Sequence, residues 1–193
     1  MPRQVTISRE AILAAALELI REEGPEALAA RGLAKRLGCS TQPIFSNFAG
    51  MEELRRAVDE AAYARYLAHL KEEMASSAYP VYKASGMAYI HFAREERQLF
   101  RLIFMQDRRL PAPESEPLSE DMEMAMAHLM QSHGWSRDLA LRFHAEMWIV
   151  VHGLAVMIAT NYMNWPEETV SEFLSDFYWG LLARFGGDAN ERH

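Results

Sequence analysis

The sequence predicts an all-α fold. Apolar residues recur at the three- and four-residue spacing of helices along most of the 193 residues. Short β-branched runs between Gly or Asn turns, which would indicate hairpins, are missing. Hydrophobic residues make up 50% of the chain and charged residues 24%, which is the balance of a globular protein rather than a disordered one.

Three helices are expected in the first 50 residues. The first is predicted over residues 8–23, and the second over residues 29–37. A tight reversal at Gly38 precedes the third, which we expect to begin with Ser40 as its N-cap. Pro43 then falls in the first helical turn, where a missing N–H removes no hydrogen bond within the helix.

The rest of the chain also predicts helices. They are expected over residues 52–75, from Pro80 onwards with a short successor, from Ser119, over residues 136–161 and over residues 166–185. Pro80 suits the first helical position because its missing N–H would have no partner there. The proline-rich stretch 111–117 is predicted to be a surface loop.

The last two helices predict a homodimer. The stretch Met147–Ala159 is apolar nearly all round, so a helix there must be buried on every side. One small domain rarely covers both faces of such a helix, and a second copy would cover the remaining face through an isologous contact. The expected interface residues are Val151, Leu154, Phe173, Phe177, Trp179 and Leu181. The alternative is a monomer with this helix at its centre.

Charge and composition limit the possible partners. Residues 1–50 carry 6 Lys and Arg against 5 Asp and Glu, a balance of +1, and residues 51–193 carry 14 against 22, a balance of −8, which sum to −7. A mildly basic first part is compatible with phosphate binding there, because salt screens the distant acidic charges. One cysteine cannot form an internal disulfide, and the run Met147–Ala159 is shorter than the ~20 residues of a membrane span. We therefore expect a cytoplasmic protein without a membrane partner.

The segment Gly38–Met51 completes a helix-turn-helix pattern. A helix, a three-residue turn and a short helix follow one another here, and Ala34 is small where the two helices would cross. The residues expected to fill the angle between them are Leu33, Leu37, Cys39 and Ile44. In this motif the second helix enters the DNA major groove with its N-terminal residues against the base edges.

Residues 8–55 resemble the N-terminal domain of the TetR family of bacterial transcriptional regulators. The matching features are a first helix that ends at Gly24, the pair Leu33-Ala34, the turn Gly38-x-Ser40, the aromatic residue 45 and Phe48. The stretch WIVVHGLA, residues 148–155, is similar to the Trp-His-Gly signature of one class of TetR-type C-terminal domains.

The resemblance implies an all-α homodimer with two domains. Residues 1–50 would form a three-helix DNA-binding domain with a helix-turn-helix, and residues 51–193 a helical bundle for ligand binding and dimerisation. The implied function is transcription regulation, by a repressor that binds a palindromic operator in double-stranded DNA and that a small apolar or aromatic effector releases.

The DNA contacts carried over from the family fall on the second and third helices. They are expected at Arg31, Ser40, Thr41, Gln42, Pro43, Phe45, Ser46 and Asn47. Thr41, Gln42 and Ser46 are the expected base readers, and Gln suits an adenine edge. Arg31 is expected to contact a phosphate or a base.

The chain departs from the family pattern at several of these places. Phe45 and Asn47, which flank Ser46, stand where the family commonly has Tyr and His, and Met51 lies near the usual position of a Lys. Ala29 replaces a common Ser or Thr. These changes remove phosphate contacts, which supply salt-dependent affinity. The alternative function is a small-molecule-sensing or partner-binding dimer with weakened DNA binding.

An effector pocket is expected among the C-terminal aromatic and methionine side chains, although solid core is the alternative. Its predicted residues are Tyr89, Phe92, Phe104, Met105, His144, Met147, Trp148 and His152. The two histidines lie about 12 Å apart along one helix, too far to share a metal, so we expect hydrogen-bonded core histidines and neither a metal nor a cofactor. Without a nucleophile–base set or a phosphate loop an enzyme is not expected; acid–base chemistry by the histidines is the remaining enzymatic alternative.

Overall fold

The computed structural model describes residues 7–106 and 120–186. Within these ranges the regular structure is helical, without strands, so the all-α prediction is confirmed. The helices are α1 (Arg9–Glu23), α2 (Ala30–Arg36), α3 (Gln42–Asn47), α4 (Met51–Ser76), α5 (Val81–Glu95), α6 (Arg97–Phe104), α7 (Glu120–His133), α8 (Arg137–Ala159) and α9 (Glu167–Arg184). The predicted loop over residues 111–117 and the predicted helix start at Ser119 lie outside the described residues.

The helices form two compact units. The first unit consists of the described parts of Met1–Tyr66 and Glu96–Asp107, and the second of the described parts of Leu67–Glu95 and Arg108–His193. The long helix α4 therefore contributes to both units, and the chain re-enters the first unit at Glu96. The functional boundary at residue 50 remains a prediction, since these packing units divide α4 within its length.

Local sequence signals set the ends of α1. Ser8 has an extended backbone, and its hydroxyl accepts a hydrogen bond from the Ala11 N–H at 3.2 Å. At the other end Gly24 has a φ of 95° and its N–H donates to the Ile20 carbonyl at 2.8 Å. Both ends lie where the sequence predicts them.

The start of α3 differs from the prediction. Gly38 does make the reversal, with a φ of 65°, but the helix begins at Gln42 and not directly after Ser40. The N-cap position belongs to Thr41, and its carbonyl accepts from the Phe45 N–H at 3.3 Å. Ser40 as N-cap is therefore wrong. Pro43 occupies the second helical position and has no N–H, so a capping side chain lacks one of its usual partners.

The core of the second unit surrounds α8, which packs against α5, α7 and α9. The Ser136 hydroxyl caps α8 by accepting from the Leu139 N–H at 3.3 Å. The fully or nearly fully buried core side chains are Met126, Leu129, Ala140, Phe143, Met147 and Leu182. Pro80 lies just before α5 rather than inside it, and its carbonyl accepts from the Ala84 N–H at 2.8 Å.

Among the described helices, α8 is long and apolar enough to cross a membrane by length and composition alone. The helix begins ten residues before the predicted apolar run Met147–Ala159 and ends with it. Core helices of soluble proteins have the same length and composition, so this property by itself assigns no membrane.

Candidate nucleic-acid interface

The first unit contains the predicted helix-turn-helix. Leu33 and Ala34 of α2 are buried together with Ile44 of α3 and with Phe48, which ends that helix. These four side chains fill the angle between the two helices, which fixes the face that α3 turns outward. The sequence predicted Leu33 and Ile44 in this role.

The outward face of α3 carries the side chains that could meet DNA. Gln42, Phe45 and Ser46 are exposed, whereas Thr41 and Pro43 are half-buried. The Phe45 ring is 46% exposed and so lies on the surface rather than in the core. The Ser46 hydroxyl donates to the Gln42 carbonyl at 2.9 Å and keeps its lone pairs for a further partner.

Asn47 is engaged inside the protein. Its side-chain Nδ2 donates to the Pro43 carbonyl at 2.8 Å and to the Ile7 carbonyl at 3.2 Å. Both amide hydrogens are thus in use, and the remaining amide oxygen can only accept a hydrogen bond. A phosphate oxygen is also an acceptor, so this geometry leaves Asn47 without a donor for it.

The cations near the helix-turn-helix differ in their partners. Arg31 and Lys35 on α2 are exposed and make no ion pair within residues 7–106 and 120–186. Arg36 instead makes a bidentate ion pair with Glu22, with both N–O distances at 2.6 Å. Arg31 and Lys35 are therefore the cations of α2 with charge left for a phosphate, and Arg36 is already neutralised.

The first unit also contains an ion-pair cluster around the buried Glu96, which sequence reasoning missed. Glu96, which is 9% exposed, accepts two hydrogen bonds at 2.8 Å from Arg21 of α1 and two at 3.0 and 2.7 Å from Arg65 of α4. The pairs span 75 and 31 residues of sequence. The one local signal for this cluster was the position of Glu96, a carboxylate at the break between α5 and α6.

Two family models match this chain. The model of bacterial regulatory proteins of the tetR family matches residues 12–58, which contain the helix-turn-helix. The model of the tetracycline repressor-like C-terminal domain matches residues 82–176. The chain belongs to the TetR family. These are DNA-binding transcription regulators, and the resemblance found in residues 8–55 and 148–155 is confirmed.

Solved structures share the fold of this regulator. A TetR family member from Streptomyces coelicolor A3 is 18% identical with a TM-score of 0.60, covering 88% of this chain and 96% of that one. TetR from Acinetobacter baumannii AYE is 19% identical with a TM-score of 0.64, covering 94% and 99%. A protein of unknown function from Rhodococcus sp. RHA1 is 23% identical with a TM-score of 0.64, covering 89% and 93%. No curated protein sequence matches the chain.

The predicted effector-pocket residues of the regulator fall into both compact units. Phe104 and Met105 belong to the first unit, because the helix is broken at Glu96 and α6 packs against α1. The Phe104 ring meets the Tyr66 ring there, with centroids 5.1 Å apart. The six residues placed in the second unit are Tyr89, Phe92, His144, Met147, Trp148 and His152.

Two Tyr–His pairs join α5 to α8 in the second unit. The Tyr82 hydroxyl lies 2.9 Å from His144 Nδ1, and the Tyr89 hydroxyl lies 2.9 Å from His152 Nδ1. Both histidines therefore have the hydrogen-bond partners expected of core histidines. The tyrosines are seven residues apart on α5 and the histidines eight apart on α8, so matched helical spacing was the signal that could have paired them.

The environment of these pairs shifts their titration. Burial lowers the pKa of His152, because the charged imidazolium loses solvation. Burial, and then the nearby Tyr178, raise the pKa of Tyr82, so its hydroxyl stays protonated. The Trp148 ring stacks on His152, with centroids 4.7 Å apart. No cluster of three or more His, Cys, Asp or Glu that could hold a metal occurs in the described part of the chain.

One face of α8 and α9 is apolar and exposed; we call it the apolar stripe. Its most exposed members are Ile149, at 66%, and Phe177, at 50%. Leu141, Trp148 and Met157 of α8 are also exposed apolar residues; at 100° per residue Leu141 and Trp148 flank Ile149 on one side of the helix and Met157 flanks it on the other. Gly153 and Gly180 lie on it too, and a Cβ built on either would meet no described atom within 4 Å.

The predicted interface residues lie on different faces of these two helices. Phe177 is exposed on the apolar stripe, and the half-buried residues are Val151, Phe173, Trp179 and Leu181. Leu154 is 8% exposed and packs inside its own unit. It is five residues from Ile149, and at 100° per residue this places it on the opposite side of α8. Ile149 and Met157, which are exposed on α8, were not among the predicted residues.

Proposed function

We propose that this regulator is a cytoplasmic homodimeric repressor that binds a palindromic operator in double-stranded DNA. The observation that carries the proposal is the outward face of α3, where Gln42, Phe45 and Ser46 are exposed above a buried helix-turn-helix core. A side-chain amide such as that of Gln42 can bond an adenine edge bidentately in the major groove.

Contacts to the DNA backbone come from α2 and the turn before α3. Arg31 supplies an unpaired charge for a phosphate, and Ser40 supplies a hydroxyl donor, while Thr41 reads bases together with Gln42 and Ser46. Phe45 lies on the sugar surface, and Pro43 shapes the first turn of the recognition helix. The second copy in the dimer provides the same set for the other half of the palindrome.

The apolar stripe supports the homodimer. A second copy that packs its α8 and α9 against the same helices covers Ile149 and Phe177 in an isologous contact. Gly153 and Gly180 have open space on this face, so the backbones of two copies can approach closely there. Val151, Phe173, Trp179 and Leu181 border the contact.

A small apolar or aromatic effector acts on the second unit in this proposal. The solved structure of an Acinetobacter baumannii TetR variant in complex with minocycline, 20% identical with a TM-score of 0.55, binds its ligand in the same fold. Here Tyr89, His152 and Trp148 place polar groups beside aromatic faces, the combination that orients ligands in apolar pockets. The other residues assigned to this role are Phe92, His144 and Met147.

A second function is favoured by one observation. The Asn47 amide is committed to Pro43 and Ile7, and Phe45 has no hydroxyl, so two family phosphate contacts are missing. The chain would then be a small-molecule-sensing or partner-binding dimer with weakened DNA binding.

DNA binding across a salt series separates the two functions. The full-length protein is titrated with the intergenic DNA beside its own coding region and with random-sequence DNA of equal length. A repressor prefers the intergenic DNA, and its binding constant falls steeply with salt. An absence of preference at low salt refutes the repressor and leaves the sensor.

A further inference from the structure

The C-terminal end of the recognition helix α3 is tied to the start of α1. Asn47 Nδ2 donates to the Ile7 carbonyl at 3.2 Å, and Arg9 Nη1 donates to the Asn47 carbonyl at 2.8 Å. The two bonds run in opposite directions across 40 and 38 residues of sequence. Together they hold the last residue of α3 against the residues that begin α1.

The same arginine continues to α4. Arg9 Nη1 also lies 2.9 Å from Glu53 Oε1, and the guanidinium carbon sits 4.0 Å from the centre of the Phe48 ring. Glu53 Oε2 accepts from the Ala49 N–H at 2.7 Å. We call Arg9, Asn47 and Glu53, with the backbone groups of Ile7 and Ala49, the helix-end network. It connects the start of α1, the end of α3, the following turn and the start of α4.

Besides the buried side chains of Ile44 and Phe48, the recognition helix has few restraints on its tilt. Residues Gln42–Asn47 form less than two turns, and helices this short are not stable alone. Ile44 is its buried side chain. Among the described residues no side chain caps its N-terminus. The polar ties at its C-terminus therefore carry much of the restraint on its tilt.

We propose that Arg9, Asn47 and Glu53 are positioning residues that set the angle of the recognition helix, and through it the sequence specificity of DNA binding. The inference rests on the proposed DNA-binding function. A bidentate bond from Gln42 to a base needs correct distance and direction at two atoms, so a small change in tilt weakens the specific contacts. Non-specific attraction to phosphates depends much less on tilt.

The charge balance around Arg9 distinguishes a positioning role from a direct phosphate contact. The positive charge of Arg9 is matched by the carboxylate of Glu53, and the pair adds no net charge to the surface. Hydrogen bonding from the Ala49 N–H, and then from Arg9, lowers the pKa of Glu53, which keeps it ionised at neutral pH. Arg31 has no such partner within the described residues and serves as the matched comparison.

The decisive variant is Glu53→Gln. Electrostatics alone predicts tighter binding to all DNA, because a negative charge near phosphates is removed. Positioning predicts instead that preference for intergenic over random DNA falls about tenfold, the loss of one weak base contact. Asn47→Ala removes two donors without a charge change and gives the same loss of preference, with the salt slope unchanged. DNA binding by every variant is measured well below its melting temperature, which circular dichroism establishes.

Arginine variants complete the test. Arg9→Met lowers the preference but leaves the slope of log K against log salt unchanged, whereas Arg31→Met reduces that slope by about 0.9. Arg9→Lys keeps the charge but loses the planar guanidinium, and it fails to restore the preference.

Two kinds of result overturn the inference while the proposed function stands. One is an Arg9→Met variant that behaves like Arg31→Met and is rescued by Lys. The other is a Glu53→Gln variant that binds all DNA more tightly with its preference intact. A wild-type protein without any DNA preference refutes the proposed function itself, and the inference with it.

Discussion

The two compact units differ in the contacts that accompany their apolar cores. In the first unit Glu96 forms ion pairs with Arg21 and Arg65. In the second the Phe143 ring meets the rings of Trp135, Tyr178 and Phe185 with centroids 5.1 to 5.5 Å apart. The first unit should therefore respond most to changes of charge, and the second to loss of volume and to protonation of its histidines.

The largest expected effect is in the aromatic core. Phe143 is fully buried, so Phe143→Ala leaves a cavity and should lower the free energy of unfolding by about 3–5 kcal/mol. Urea denaturation measures it. Tyr162→Ala is the control, because that ring is 77% exposed and its loss should change unfolding far less. Equal losses for both variants would contradict the packing described for the second unit.

The next effect concerns the apolar stripe. Ile149→Lys places a charge at the centre of the proposed dimer contact, and an isologous interface contains each substitution twice. We expect the dimer dissociation constant to rise about 100-fold, since burying an unpaired charge is costly. Sedimentation or light scattering over a concentration series measures it. A wild-type monomer at micromolar concentration would refute the interface, and an unaffected variant would move it elsewhere.

A smaller effect is expected at the ion-pair cluster of the first unit. Glu96→Gln leaves Arg21 and Arg65 without their carboxylate and should cost about 2 kcal/mol, less than for a fully dry pair because both arginines reach water. Glu22→Gln, which removes the exposed partner of Arg36, should leave stability unchanged. Thermal unfolding compares the two. A neutral result at Glu96 would show that this cluster does not stabilise the unit.

The smallest effect is the pH dependence of the second unit. Burial lowers the pKa of His152 in the folded state, so the unfolded chain takes up a proton first as pH falls. Stability is then fully present above the ordinary histidine pKa of about 6.5 and declines below it.

His128 adds to this dependence in the same direction, since burial and His133 lower its pKa as well. His152→Gln should reduce the change of unfolding free energy between pH 5 and pH 8, although His128 keeps part of the pH dependence. A curve identical to that of the wild type would show that His152 does not couple folding to protons.

Local features of the recognition segment were largely predictable. The reversal at Gly38 and the buried positions of Ile44 and Phe48 follow from glycine's backbone freedom and from helical spacing. The start of α3 was not predictable, because Ser40 and Thr41 both suit an N-cap. The conformation of the turn determines which of them occupies that position. The hydrogen bond from Asn47 to Ile7 was not predictable either, since the two residues lie 40 apart in the sequence.

The candidate site residues also include some that the sequence predicted and some that it placed wrongly in space. Gln42 and Arg31 were found as surface side chains from their places in the motif, and the structure leaves both exposed. Phe104 and Met105 were grouped with the effector residues because they share the aromatic and methionine character of the middle helices. The break at Glu96 carries them into the first unit, and no local pattern encodes the direction of a chain after such a break.

The sequence by itself determined the helical class, the ends of α1, the start of α8, the helix-turn-helix and the family. Each depends on residues within a few turns of one another, where spacing and capping act directly. Only the tertiary structure decided the partners of Glu96, the helix-end network, the Tyr–His pairs and the face on which Leu154 lies. These depend on which distant helices meet, and the free energy of that choice is shared among many buried side chains.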